Sequence, residues 1–83
     1  MKGGIYVKEE ILNKLIEKTA DALGVDKSTL DENTVINSMG LRSLELAAII
    51  SSFEEEYDCY IKYTELMHAN TIGEAAEVIS KMV

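Results

Sequence analysis

The chain has 83 residues, 47% of them hydrophobic and 28% charged, with a formal net charge of −7. That length leaves little interior for a deep cleft lined with polar groups, and the balance of residues is that of a folded domain, not a disordered tail. Fifteen acids against eight bases repel nucleic-acid phosphate and anionic lipid and attract proteins with basic patches. A simple need for solvation explains such acidity equally well. No apolar run approaches the roughly twenty residues that span a bilayer, and Met1 to Lys8 lacks the apolar core of a signal peptide. Cys59 stands alone, so it forms neither an internal disulfide nor a metal cluster by itself. These features lead us to expect one cytoplasmic domain over residues 1–83, with no membrane span and no nucleic-acid partner.

Ile11, Leu12, Leu15, Ile16, Thr19, Ala22 and Leu23 recur at three- and four-residue steps, which predicts a helix from about Lys8 to Leu23, stopped by Gly24. From Gly24 to about Leu41 the apolar Val25, Leu30, Val35, Ile36 and Met39 fit no single helical face. Asp26, Ser28, Asp31, Asn33 and Asn37 supply turn and capping chemistry there. The reading is a long loop whose apolar residues pin it across the helices, and loops of that length are often functional.

A second helix is predicted from Arg42 or Ser43 to Tyr57. Its buried stripe is Leu46, Ile49, Ile50, Phe53 and Tyr57, and its outer face is Glu45, Ala48, Ser52, Glu55 and Glu56. A short extended connection through Cys59 and Ile61 follows, then one or two helical turns over Thr64 to His68. Thr71 and Glu74 match a capping box for a last helix that buries Ile72, Ala75, Ala76, Val78 and Ile79. Three substantial helices and one short one define an all-α four-helix bundle.

Ser43 is the residue that carries chemistry, because it falls where the second helix begins. A nucleophilic serine needs a base within reach and an oxyanion hole. The lone His68 lies far along the chain with no evident acid to orient it, so a serine hydrolase is set aside. Serine is also a favoured helix N-cap, and that is the plain structural reading. The functional reading is an attachment point. A helix N-terminus favours a phosphate fixed there, and a group attached at the first turn is free to swing away from the bundle.

The segments Leu23-Gly24-Val25-Asp26, Gly40-Leu41-Arg42-Ser43-Leu44 and Phe53-Glu54-Glu55-Glu56-Tyr57-Asp58, followed by Ile61 and Thr71-Ile72-Gly73-Glu74-Ala75-Ala76, resemble the acyl carrier proteins in order and spacing. The resemblance covers nearly the whole chain. It implies a non-catalytic, freestanding, monomeric bundle whose Ser43 receives 4′-phosphopantetheine from coenzyme A through a magnesium-dependent phosphopantetheinyl transferase. The arm's thiol then holds an acyl group as a thioester for fatty-acid, polyketide or related specialised biosynthesis. It further implies that acyl-loading, acyl-transfer and synthase enzymes with basic surfaces meet Leu44, Glu45, Glu54, Glu55 and Glu56. The resemblance also implies an acyl chain that folds back between the helices, with Leu46, Ile50, Phe53, Ile72, Ala75 and Ile79 as candidate lining; their periodicity by itself marks core packing as their main duty.

The chain departs from the family at Arg42, where aspartate usually precedes the serine. A cation at the positive end of a helix costs roughly 0.3–1 kcal/mol if exposed. Arg42 can pair with the phosphodiester on Ser43, select an unusual transferase or partner, or mark a site that has lost modification. The loop Asn37-Ser38-Met39 also lacks the family's acidic pair, and Ala48 stands at a position that is often glutamate. Together these point to a specialised carrier. A peptidyl or aminoacyl carrier, and an unmodified interaction module with this fold, remain as alternatives.

Overall fold

The computed structural model describes residues 4–83, with side chains from residue 8 onward. Four helices occur in the expected order: α1 (Gly4–Leu23), α2 (Ser43–Tyr57), α3 (Tyr63–Leu66) and α4 (Ile72–Ser80). Two 3₁₀ turns, Lys27–Thr29 and Ile36–Ser38, lie within the long connection between α1 and α2. The all-α bundle expected from periodicity is the fold observed.

The start of α1 lies upstream of the Lys8 expected from the sequence. Gly4 to Val7 contribute a glycine and β-branched residues, which are weak helix formers. Extending an existing helix costs no new nucleus, so the strong segment behind them carries the first turn. At its other end α1 closes as expected at Gly24, where the Val25 N–H donates to Ala20 O at 3.0 Å and the Gly24 N–H to Asp21 O at 3.3 Å. This is the paired bonding of a Schellman stop.

Ile11 and Leu15 from α1, Ile49, Ile50 and Phe53 from α2, and Ile72, Ala75, Ala76 and Ile79 from α4 form one buried cluster with Ile61 and Leu66. Leu46, Tyr57 and Val78 pack against it only partly buried, so the stripes read from the sequence are right in phase but fade at their edges. Cys59 is half-buried and free. Burial first, then the charges of Glu54 and Asp58, push its thiol pKa up, which keeps it a protonated small hydrophobe.

The long connection is fixed in a way its sequence did not disclose. Leu30, Ile36 and Met39 do pack on the core, but Val25 and Val35 are exposed. The stronger tie is main-chain. The Gly73 N–H donates to Glu32 O at 2.8 Å, the Ile72 N–H to Thr34 O at 3.0 Å and the Ile36 N–H to Asn70 O at 2.8 Å. Gly73 permits this approach, since a Cβ there would stand 2.9 Å from Glu32 O and 3.1 Å from Glu32 Cβ. Overpacking against a backbone held by hydrogen bonds costs about 1–3 kcal/mol, while alanine in a helix returns about 1 kcal/mol over glycine. Gly73→Ala is therefore expected to lower stability by up to about 2 kcal/mol in urea unfolding, although glycine-to-alanine changes in helices ordinarily stabilise.

At the start of α4 the capping box is shifted by one residue. Thr71 Oγ1 accepts from the Glu74 N–H at 3.2 Å, as expected, but Glu74 Oε1 accepts from the Asn70 N–H at 2.8 Å instead of from Thr71.

A charged seam joins α1 to α2. Lys14 pairs with Glu56 and, at 3.2 Å, with Glu10, while Lys18 lies 3.8 Å from Glu56 and donates to Ser52 Oγ at 2.7 Å. The Tyr57 hydroxyl donates to Glu10. That Tyr57 bond, then Lys14, holds Glu10 below the usual carboxylate range, and Lys14 does the same for Glu56. A carboxylate with a depressed folded pKa contributes stability above its unfolded value and loses it as pH falls through the folded one. Melting temperature is thus expected to drop once pH passes below about 4.5, and Lys14→Met should flatten that acid limb in circular-dichroism melts at stepped pH.

Candidate functional site

Between the bundle and Ser43 the chain turns twice. The turn Ile36–Ser38 is closed by Met39 N–H donating to Ile36 O at 3.1 Å and Ser38 Oγ donating to Val35 O at 2.8 Å. Gly40 then takes φ +77°, a left-handed conformation that a side chain would resist. Leu41 is half-buried against the core, and Arg42 is extended at φ −85°, ψ 158°. Helix α2 begins at the next residue.

Arg42, not Ser43, is therefore the N-cap, and Ser43 is the first helical residue. This corrects the plain reading of Ser43 as a capping serine. The Glu45 carboxylate accepts the Arg42 N–H at 2.9 Å, which is half of a capping box. The reciprocal bond is missing because a guanidinium has no acceptor atom. The first intrahelical bond runs from the Leu46 N–H to Arg42 O at 2.9 Å. The N–H groups of residues 43 to 45 consequently have no carbonyl of their own helix to bond. Ser43 is exposed, and its hydroxyl takes no part in the described hydrogen bonds. It has no imidazole beside it to act as a base among the described hydrogen bonds, and His68 is an exposed residue just past α3.

Behind Ser43 lies a cavity of about 290 Å³ between the helices. Of the residues expected to line an acyl chain, Leu46, Ile50, Ile72, Ala75 and Ile79 border it, while Phe53 is fully buried elsewhere in the core. Leu15, Ile49, Leu66 and the buried polar Thr19 add to its walls, and the exposed Arg42, Ser43, Asn37, Tyr63 and Met67 mark its mouth. Leu15 was legible on the α1 stripe. Tyr63 and Met67 were not, because a four-residue helix is too short to show a period.

The expected partner-facing residues divide sharply. Leu44 is 84% exposed. Glu45 is used by the Arg42 N–H, Glu54 accepts the Ile61 N–H at 2.9 Å, and Glu56 is held by Lys14 and Lys18. Glu55 is exposed and takes no part in the described ion pairs.

The bundle thus presents an exposed serine hydroxyl at a helix start, at the mouth of a mostly apolar cavity. The family model for the phosphopantetheine attachment site matches residues 13–79. The chain is similar to an acyl carrier protein of Lactobacillus acidophilus, 34% identical over 73 residues covering 87% of this chain and 91% of the relative. To an acyl carrier protein of Thermotoga maritima it is 31% identical over 75 residues, 89% of this chain and 93% of the relative. It also matches a bikaverin polyketide synthase of Gibberella fujikuroi, 32% identical over 62 residues that make up 75% of this chain and 3% of that protein. The chain belongs to the phosphopantetheine-attachment family of carrier proteins. Its prosthetic group is a covalently bound phosphopantetheine; acyl carrier proteins receive theirs from a phosphopantetheinyl transferase and work with synthase enzymes. No described helix is long and apolar enough to cross a membrane.

Proposed function

We propose that Ser43 Oγ is the attachment atom for 4′-phosphopantetheine, and that residues 1–83 act as one monomeric, cytoplasmic acyl carrier domain for fatty-acid, polyketide or related specialised biosynthesis. The observation that carries this reading is the position of Ser43: exposed, first in α2, outside the described hydrogen bonds, and at the mouth of a mostly apolar cavity. The residues present fit the group. Free first-turn N–H groups and the Arg42 guanidinium suit a phosphodiester on that oxygen. The walls supplied by Leu46, Ile50, Ile72, Ala75 and Ile79 suit an alkyl chain. The arm, once attached, supplies a thiol that holds an acyl group as a thioester, reactive enough for acyl transfer or carbon–carbon bond formation.

The chain's part is to position and shelter. Leu44 and Glu55 present contacts to enzymes with basic surfaces, while the cavity keeps water from the apolar part of the cargo. Incubation with coenzyme A and a broad-specificity transferase should add the mass of one phosphopantetheine to the parent chain and none to Ser43→Ala. A folded parent that gains nothing from several transferases would refute the assignment. In a housekeeping fatty-acid synthesis assay the modified chain is expected to turn over poorly, because its α2 face lacks the usual acidic array; full activity there would contradict a specialised role.

A further inference from the structure

Resting on the assignment of the arm to Ser43, we propose that the face around this serine is recognised by an acidic, partly apolar rim on the enzyme that installs the arm, and that modification itself cancels that recognition. Any enzyme reaching Ser43 Oγ must also cover Arg42 and Leu44, which flank it. Arg42 is the chain's single arginine, is exposed, and joins none of the ion pairs among the described residues. Of the α2 acids, Glu45 accepts the Arg42 N–H, Glu54 accepts the Ile61 N–H and Glu56 pairs with Lys14, while the exposed Glu55 lies more than three helical turns from Arg42. The exposed face between is uncharged, running from Leu44 through Ala47, Ala48 and Ser51. Met67, 65% exposed, stands at the same cavity mouth.

A basic rim would set cation against cation at Arg42, and like charges in an interface are strongly selected against. A carboxylate in the rim pairs with the guanidinium as it is covered. In the transfer, Ser43 Oγ forms a bond to the pantetheine-side phosphorus of coenzyme A as the P–O–P linkage breaks. Adenosine 3′,5′-bisphosphate leaves, and the hydroxyl proton passes to a base of the enzyme. The phosphodiester left on Ser43 places an anion one residue from Arg42. The cation that drew the enzyme is then matched within the product, which weakens rebinding.

The test uses two phosphopantetheinyl transferases, one with an acidic and one with a basic rim around the coenzyme A cleft, and follows intact mass over time. The parent should be modified with kcat/KM at least about tenfold higher by the acidic-rimmed enzyme, and Arg42→Asp should reverse that preference. Ser43→Ala should inhibit the acidic-rimmed enzyme about tenfold better than the modified parent does, and Arg42→Gln should remove that gap. An unchanged preference in Arg42→Asp, or equal inhibition by the two forms, overturns the proposal. Absence of any mass gain in a folded parent overturns it too, but by refuting the attachment at Ser43 instead of the charge readout.

Discussion

Phe53→Ala is expected to cost about 3–5 kcal/mol of folding stability, the largest effect of any single truncation in the bundle. Phe53 is fully buried, faces Tyr57 with ring centroids 6.2 Å apart, and carries the Lys18 ammonium 5.3 Å over its ring. Its removal leaves a void inside the buried cluster that α1, α2 and α4 share, and the structure around such a void relaxes only partly. For a domain this small the loss amounts to much of a total of about 5–15 kcal/mol. Urea titration by circular dichroism reads it directly. A loss under about 1 kcal/mol would show that the site collapses freely and that the packing described around Phe53 is not what holds the helices.

Arg42→Asp is expected to stabilise the unmodified chain, against the usual trend for substitutions at a functional site. The N-cap backbone is already extended, so an aspartate there can accept the Glu45 N–H that arginine leaves unbonded. A capping side chain contributes about 1 kcal/mol. Exchanging a cation for an anion at the positive end of a helix adds roughly 0.3–1 kcal/mol for each charge changed. One kilocalorie per mole shifts the melting temperature of a domain of this size by about 4–8 °C, so a rise of several degrees should appear in a thermal melt. Arg42→Gln should recover only the part due to removing the cation. If Arg42→Asp left the melting point unchanged, the arginine would be no burden on the helix and the case for its retention in binding would weaken.

The helices were legible because their apolar residues repeat at steps of three and four, and the predicted span of α2 ends at the Tyr57 observed. The serine proposed for attachment drew attention through its neighbours Gly40, Leu41 and Leu44. What the sequence hid lay in bonds without a residue signature. The ties from Glu32, Thr34 and Ile36 to residues 70–73 are main-chain to main-chain, and any residue but proline at the donor positions can make them. The fate of the α2 glutamates was hidden for a different reason. A glutamate on an outer face reads as solvent-facing, yet Glu54 and Glu56 find partners that only tertiary packing brings near. Asn37 and Tyr63 escaped notice at the cavity mouth because neither belongs to a periodic segment.

Those main-chain ties also decide which way the bundle can yield. On one side of the cavity, the connection and the start of α4 are stitched together through three backbone bonds. On the other, α3 has four residues and anchors itself through the single buried Leu66. A bulkier passenger would therefore make room by displacing α3 outward, so the chain's tolerance for size is written in its shortest helix and not in the three that build it.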